Sequence, residues 1–296
     1  MTRKTSTDFH PEVMRLFDQY VHGLLSRRGF VQSAAKYCAV GVSAELVLAQ
    51  LSPNFAMAQQ VPANDARIKT SSLELASPQG YGKLRGYLCQ PAAVQGKLPT
   101  VLVVHENRGL NPHIEDITRR LALDNFIAFA PDALFPLGGY PGDEDKARDL
   151  FGKLDQSKTR ADFLAAAAML KTLPQGNGKL GAVGFCYGGS MANFLATQLP
   201  DLAASVPFYG GQPSAEDTAR INAPLLIHYA GNDERINAGW PKYEEALKAN
   251  KVRYEAHIYA GTQHGFNNDT TPRYDAAAAK LAWQRTVAFF NQHLRA

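Results

Sequence analysis

The sequence predicts an α/β fold with a mostly parallel central sheet, helices on both faces and an N-terminal antiparallel edge hairpin. Continuous apolar runs, such as PTVLVVH at 99–105 and PLLIHYA at 224–230, are typical of strands that are covered on both faces. Amphipathic helical patterns alternate with these runs, which is the order that builds parallel β-α-β units. Ligands bind such sheets beyond the carboxyl ends of the strands, so polar residues just after the runs are the functional candidates.

The individual elements follow from local patterns along the chain. Residues 68–74 and 83–90 alternate polar and apolar side chains around a Pro78-Gln79-Gly80 turn, which predicts the edge hairpin. Asn111 suits a helix cap and Pro112 the first helical position, so a helix is predicted over Pro112–Leu123. The other predicted strands are 99–105, 126–130, 180–185, 204–209, 224–230 and 254–259, and the other predicted helices are 160–173, 191–199, 240–248 and 274–294.

Size and composition exclude several classes of protein. The 296 residues, 45% of them hydrophobic and 20% charged, suffice for one large α/β domain. The net charge of +4 comes from scattered basic residues with no basic block among aromatics, so nucleic-acid binding has no support. Three cysteines cannot form a disulfide framework. No uninterrupted apolar run reaches the length of a membrane span, so a permanent membrane anchor is not expected.

Residues 1–58 differ from the rest and are predicted to be a separate N-terminal segment, followed by a single domain over 59–296. The motif SRRGFV at 26–31 precedes a mildly apolar stretch at 37–51, and Ala56-Met57-Ala58 offers a small-x-small cleavage site. This order resembles a twin-arginine export signal and predicts a periplasmic protein. The alternative is an amphipathic helix pair packed on the body of a cytoplasmic protein, because charged residues interrupt the apolar stretch.

The segment KLGAVGFCYGGS at 179–190 carries the strongest functional signal. An apolar strand pattern meets Cys186, three glycines surround that cysteine at positions 184, 188 and 189, and a helical pattern follows at once. This is the strand–turn–helix pattern of a nucleophile elbow, in which glycines permit close approach of the backbone. The start of a helix also favours a thiolate. The alternative is a buried structural cysteine, a common role of an isolated thiol.

Two more strand ends supply the partners that a nucleophile needs. Asp233 follows the strand at 224–230, and His264 follows the strand at 254–259 in a glycine-bounded loop. Nucleophile, acid and histidine then occur in the chain order of α/β-hydrolases. Imidazole can exchange the thiol proton near neutral pH, and a carboxylate fixes its tautomer. The alternatives are that Asp233 only caps the next turn and that His264 is structural.

The other histidines give weaker signals. His228 and His257 lie inside strand patterns and are interpreted as core or sheet-face residues. Nothing in the sequence suggests a role for His10, His22 or His293, which lie in terminal segments.

A fourth strand end, HENRG at 105–109, suggests an oxyanion hole and no metal site. It lacks the second histidine of an H-E-x-x-H motif, and neither a dinucleotide nor a P-loop motif occurs, so no metal or cofactor is predicted. In a hydrolase fold this loop supplies an oxyanion donor. We therefore assign the oxyanion hole to the backbone N–H groups of Asn107 and Tyr187.

Together these segments resemble the dienelactone hydrolase family of carboxymethylenebutenolidase-like α/β-hydrolases, over roughly residues 73–294. The resemblance rests on VVHENRGLNPHIED at 103–116, APD at 130–132, VGFCYGG at 183–189, VPFYGG at 206–211, AGND at 230–233 and GTQHGF at 261–266. It implies a triad of Cys186, Asp233 and His264. It further implies that a glutamate matching Glu106 holds the resting thiol.

One departure from the family bears on the substrate. The family is expected to carry an arginine four residues beyond the catalytic histidine, where it grips the substrate carboxylate. This chain has Asn268 there, and its nearest arginine is Arg273. An amide cannot form a bidentate charged pair, which argues against dienelactone itself as the substrate. The candidate substrate-binding residues are Arg108, Tyr209 and Asn268.

The function predicted from the sequence is hydrolysis of a small-molecule ester or lactone, by attack of Cys186 and formation of a thioester acyl-enzyme. Two alternatives use the same fold. In the first, Cys186 is the low-pKa thiol of a redox sensor and cycles through sulfenic acid. In the second, the chain is a non-catalytic binding module that has kept the triad.

Overall fold

The computed structural model describes residues 4–57 and 59–295, and its strands form one sheet. The strands are β1 (Ile68–Ser77), β2 (Gly82–Pro91), β3 (Leu98–Val104), β4 (Ile127–Pro131), β5 (Gly176–Phe185), β6 (Ala204–Phe208), β7 (Leu225–Ala230) and β8 (Tyr254–Tyr259). The eight strands lie in the order β1-β2-β4-β3-β5-β6-β7-β8. The pairs β1–β2 and β2–β4 are antiparallel and the other neighbours are parallel. The predicted sheet with its edge hairpin is confirmed.

Helices alternate with the strands as the patterns indicate. They are α1 (Pro11–Val21), α2 (Arg27–Ala34), α3 (Ala44–Leu51), α4 (Pro112–Leu123), α5 (Glu144–Phe151), α6 (Gln156–Thr172), α7 (Tyr187–Gln198), α8 (Ala215–Thr218), α9 (Glu234–Asn237), α10 (Trp240–Ala249) and α11 (Ala276–Leu294). The cap of α4 is as predicted, because the side chain of Asn111 accepts from the N–H of Ile114 at 3.2 Å. The sequence did not predict α5, whose two buried side chains are too few to produce a helical pattern.

The central strands are buried on both faces, which divides the core into two layers. Along β3, Val101 and Val103 face one layer with α4 and α11, whereas Leu102 and Val104 face the other layer with α6 and α7. This alternation follows from the two-residue period of a strand. All four side chains are fully buried, and burial of such a side chain stabilises the fold by roughly 1.5–3 kcal/mol. Helices therefore cover both faces, as predicted.

The N-terminal helices α1, α2 and α3 pack around a small apolar core of their own. This core includes Phe17, Phe30 and Leu48. Ser26 caps α2 by accepting from the N–H of Gly29 at 3.0 Å, so the arginine pair that suggested an export signal lies in the first turn of a helix. Ala58, the last residue of the predicted cleavage site, lies outside the described residues. No helix among the described residues is long and apolar enough to cross a membrane.

Candidate active site

The turn between β5 and α7 has the tight geometry of a nucleophile elbow. Cys186 adopts a φ of +57°, a conformation that costs energy for any residue with a side chain. A Cβ atom at Gly184 would lie 1.9 Å from the carbonyl oxygen of Gly188, and a Cβ atom at Gly188 would lie 2.2 Å from that of Val104. Only glycine fits these two positions. The glycines thus bring the loop after β3, the elbow and the helix start together around the thiol.

The structure brings Asp233 and His264 together at the carboxyl ends of β7 and β8. Nδ1 of His264 lies 2.5 Å from Oδ2 of Asp233, and both side chains are buried. The other carboxylate oxygen of Asp233 accepts from the N–H of Ile236 at 3.3 Å. The aspartate therefore caps α9 and orients His264 at the same time, so its two predicted roles coexist. Nε2 of His264 is buried and has no hydrogen-bond partner among the described residues.

A second histidine, which the sequence analysis had left without a role, lies against the same thiol. Nε2 of His22 is 3.6 Å from Sγ of Cys186, and the rings of His22 and His264 meet edge to face at 4.7 Å. His22 is the residue after α1 and pairs with Asp18 one turn earlier, at 3.3 Å. An aspartate and a histidine four residues apart on a helix were visible in the sequence, but such pairs are common on helices and do not indicate a site.

The two histidines and the thiol influence one another's proton affinity. Burial raises the pKa of Cys186, but the positive charge of His264 and the hydrogen bond with His22 outweigh it and bring the pKa to about 6. Burial lowers the pKa of His264, whereas the thiolate and Asp233 raise it to about 10. Near neutral pH the arrangement therefore favours a thiolate beside an imidazolium.

The loop after β3 contacts α1 through its side chains. Nδ2 of Asn107 and Nη2 of Arg108 each donate to the backbone carbonyl of Val21 at 3.1 Å. The carboxylate of Glu106 accepts from Nδ2 of Asn268 at 2.8 Å. The group that the structure places on the sulfur is thus His22, while Glu106 is bonded to the residue that replaces the expected arginine.

The oxyanion donors assigned from the sequence lie on either side of the elbow. Tyr187 is the first residue of α7, and the first N–H groups of a helix have no partner within the helix. This N–H belongs to the residue that directly follows Cys186. Asn107 lies in the loop after β3, which packs against the elbow at Gly188.

A cavity of about 330 Å³ opens onto the thiol, and the N-terminal segment forms part of its wall. Four of its lining residues belong to the site already described: Cys186, His264, Glu106 and Asn268. The N-terminal segment contributes Phe17, Tyr20, Val21, Arg27, Ser52, Pro53 and Phe55. Arg108 and Arg273, whose side chains are almost fully buried, also line it. Tyr209 packs its ring 5.0 Å from that of His264 and lies at a φ of +36°. Of the candidate substrate-binding residues, Arg108 and Asn268 line the cavity, whereas Tyr209 is not among its lining residues and contacts the ring of His264.

Two further buried histidines have structural contacts. His228 is buried, where it bonds with the hydroxyls of Thr286 at 3.2 Å and Tyr259 at 2.9 Å, in agreement with its predicted core role. Nε2 of His105 accepts from the N–H of Ala133 at 3.1 Å, which anchors the loop after β4.

The cluster of His22, Cys186 and His264 has the donor types of a metal site. One donor atom from each residue lies within 4.8 Å of the others. However, Nη2 of Arg235 lies 2.9 Å from Nε2 of His22, and a guanidinium can only donate. The positive charge of this guanidinium opposes a cation at the cluster. The surroundings of the cluster therefore do not favour a metal ion.

Comparisons with other proteins agree with this architecture. A family model described as "Dienelactone hydrolase family" matches residues 84–294, and a model described as "YqhI-like" matches residues 1–36. A protein of Salmonella typhi named "Putative carboxymethylenebutenolidase" is 34% identical over 231 residues, covering 73% of this chain and 85% of that protein. The "Putative hydrolase fragment YghX" of Escherichia coli (strain K12) is 52% identical over 105 residues, covering 36% of this chain and 90% of the fragment.

A solved structure shows the same fold over most of the chain. The crystal structure of a "Putative Dienelactone Hydrolase" from Klebsiella pneumoniae superposes with a TM-score of 0.68 at 29% identity, covering 76% of this chain and 99% of that one. The range 84–294 of the first family model contains Cys186, Asp233 and His264, whereas the range 1–36 of the second contains His22.

Proposed function

This chain belongs to the dienelactone hydrolase family and is an ester or lactone hydrolase, and we propose that Cys186, His264 and Asp233 perform its chemistry through a thioester acyl-enzyme. The observation that carries the proposal is the orientation of His264. Its Nδ1 is fixed on Asp233 at 2.5 Å, which leaves Nε2 to exchange protons beside the thiol. In hydrolases, cysteine and serine nucleophiles are activated by an imidazole whose other nitrogen is hydrogen-bonded to a carboxylate.

In the first half of the proposed reaction, the thiol proton moves to His264 and the electron pair stays on sulfur. The thiolate attacks the carbonyl carbon, and the oxyanion accepts from the N–H groups of Tyr187 and Asn107. Collapse of this intermediate breaks the bond to the alcohol oxygen, which takes the proton from His264. Such backbone donors contribute roughly 10²–10³-fold each to the rate of related enzymes.

In the second half, water hydrolyses the thioester. His264 removes a proton from the water as it attacks the carbonyl carbon. The bond between carbon and sulfur breaks, the carboxylic acid leaves, and the proton on His264 restores the starting state. With a lactone the alcohol remains attached to the same product, so one molecule leaves instead of two.

We further propose that the substrate carries an anionic group close to its ester. Nε of Arg108 and Nε of Arg273 are buried without a hydrogen-bond partner among the described residues, and both side chains line the cavity. Their carboxylate neighbours, Glu144 at 3.6 Å and Asp18 at 3.8 Å, are beyond hydrogen-bond distance. Buried cations with unused donors are suited to a carboxylate. These arginines would take the role that Asn268 cannot.

The test is hydrolysis of a panel of esters and lactones by the purified full-length protein and its Cys186→Ala variant. We expect Cys186→Ala to lose roughly 10⁴-fold or more of kcat/KM, because the attacking atom is removed. Cys38→Ser is the matched control: Sγ of Cys38 donates to Ala34 within the N-terminal segment, and the serine keeps that bond. Full activity in Cys186→Ala would refute the proposal. Peroxide-dependent oxidation of Cys186 in a protein without esterase activity would favour the redox alternative.

A further inference from the structure

The sulfur of Cys186 lies beside two imidazoles, and each imidazole has an aspartate near its other nitrogen. His264 and Asp233 form the first pair, at 2.5 Å. His22 and Asp18 form the second, with Nδ1 of His22 located 3.3 Å from the carboxylate of Asp18. Nε2 of His22 lies 3.6 Å from the sulfur, which is hydrogen-bond distance for a thiol. The chemistry assigned above uses only the first pair.

The contacts of His22 fix which of its nitrogens carries the proton. Nδ1 lies 2.7 Å from the backbone carbonyl oxygen of Asp18, which can only accept, so Nδ1 carries the hydrogen. Nη2 of Arg235, which can only donate, lies 2.9 Å from Nε2, so Nε2 presents its lone pair. This lone pair is also within reach of the thiol. His22 is therefore held in the tautomer that accepts a proton from Cys186.

The surrounding charges support this basicity. The titratable and charged groups that face His22 are Asp18 from its own helix, Cys186 and His264 from the elbow and the loop after β8, and Arg235 from α9. Burial lowers the pKa of His22, but the nearby carboxylate of Asp18 and the contact with Cys186 raise it above its ordinary value. The guanidinium of Arg273 lies 3.8 Å from Asp18, and its positive charge favours the ionised carboxylate.

Contacts on both sides of His22 hold it at the site. On the chain before it, the carbonyl of Val21 accepts from Asn107 and Arg108, which belong to the loop that packs on the elbow. Asp145 of α5 accepts from the hydroxyl of Tyr20 and, at 3.0 Å, from Arg27. These bonds join the N-terminal segment to two cavity-lining elements and position the imidazole on the sulfur.

We propose that His22 is a catalytic residue, a second general base that takes the proton of the Cys186 thiol. In this step the S–H bond breaks, an N–H bond forms at Nε2 of His22, and the electron pair remains on sulfur as the attacking thiolate. Nη2 of Arg235, which lies 2.9 Å from Nε2, must leave that lone pair as the proton arrives. Arg235 then stays beside Asp18, whose carboxylate already lies 3.9 Å from its Nε. The inference rests on the proposed function in that Cys186 is the nucleophile, and it makes the N-terminal segment part of the active site.

The test measures deprotonation of the thiol without ester turnover. The rate of alkylation of Cys186 by iodoacetamide is followed against pH in the full-length protein, His22→Gln, His264→Gln and the double variant, and peptide mass spectrometry separates Cys186 from Cys38 and Cys89. Each single variant keeps one base, so the pH midpoint of its alkylation curve is expected to stay below the pKa of an ordinary thiol, about 8.5. The double variant is expected to reach that value and, at pH 7, to react about 10-fold or more slowly than His264→Gln.

The proposal would be overturned if His264→Gln alone already behaved as the double variant does. His10→Asn is the matched control: His10 caps the same helix by accepting from the N–H of Glu12, and asparagine can keep this cap. If the pH midpoint of alkylation shifted as much in His10→Asn as in His22→Gln, the proposal would also be overturned. The effect would then come from the helix and not from the imidazole. Circular dichroism checks that each variant is folded. Failure of the proposed nucleophile is seen separately, as ester turnover that persists in Cys186→Ala.

The proposal also requires the N-terminal segment to stay on the active enzyme. Cleavage after Ala58, as predicted for an export signal, would remove His22. The intact mass of active protein isolated from the producing cells distinguishes the two outcomes. We expect a mass that includes residue 22. Active protein found only as a chain that begins at residue 59 would contradict a role for His22.

Discussion

The two aspartate–histidine pairs reach one sulfur from different parts of the molecule and are held there by different means. Asp233 and His264 follow neighbouring parallel strands, so the register of β7 and β8 sets their separation. Asp18 lies in α1 and His22 directly follows it, and this segment is attached through hydrogen bonds from side chains to the carbonyl of Val21. The first pair is built into the scaffold, and the second is docked on it.

This difference indicates how each pair responds to change. The scaffold pair follows directly after two paired strands of the central sheet, so its position depends on the stability of the domain core. The docked pair depends on a few contacts to charged groups, each of which contributes roughly 1.5–3 kcal/mol. Segments held in this way can open locally while the core stays folded. The rate of hydrolysis is therefore expected to depend strongly on Asp233 and His264 and more weakly on Asp18 and His22.

The largest effect is expected from removal of the scaffold base. His264→Gln should lower kcat/KM for ester hydrolysis by roughly 10²–10⁴-fold, because His264 serves both halves of the reaction. His22→Gln should lower it less, since His264 remains to activate both thiol and water. Steady-state kinetics on one aryl ester compares the two variants. Equal losses would show that the two pairs are not distinct in the way described.

The next effect concerns Arg273, which touches both regions. Its guanidinium lies 5.2 Å from the centre of the Phe17 ring and lines the cavity beside the thiol. Arg273→Gln should reduce kcat/KM for a carboxylate-bearing ester by about 10–100-fold, because one charged hydrogen bond is lost. A neutral ester of the same size serves as the control and should be affected much less. Similar losses for both esters would mean that Arg273 supports the structure and does not bind an anion.

A smaller effect is expected from loosening the docked segment alone. Asp145→Asn weakens the bonds from Tyr20 and Arg27 to α5. Hydrogen exchange in α1 and α2 should become about 10-fold faster, which corresponds to a loss of about 1.4 kcal/mol. Exchange in the buried strand β5 is the internal control and should not change. Faster exchange throughout the chain would contradict a separately docked segment.

The pH dependence of hydrolysis should show both members of the thiolate–imidazolium pair. The pKa of Cys186 is lowered to about 6, so the thiolate is present above that pH and activity is lost as the pH falls through it. The pKa of His264 is raised to about 10, so the imidazolium that protonates the alcohol is lost as the pH rises through that value. A plot of kcat/KM against pH should be bell-shaped between these limits. An acidic limb with a midpoint near the pKa of an ordinary thiol would contradict the thiolate–imidazolium pair.

The scaffold side of the site could be predicted from the sequence, and the docked side could not. Cys186, Asp233 and His264 each follow an apolar run, and the rule that sites lie at the carboxyl ends of parallel strands brings them together. No such rule locates His22, because its position depends on the carbonyl of Val21 accepting from side chains 86 and 87 residues further along the chain. The bond between Asn268 and Glu106 likewise needs the folded loops.

The central claim is that Cys186 attacks the substrate, and trapping the covalent intermediate tests it most directly. Full-length protein is mixed with an aryl ester, quenched in acid during turnover, digested and analysed by mass spectrometry. We expect the acyl group as a thioester on the peptide that contains Cys186, and its absence in Cys186→Ala. An acyl group on another residue would contradict the account. Continued hydrolysis of the ester by the Cys186→Ala variant would contradict it as well.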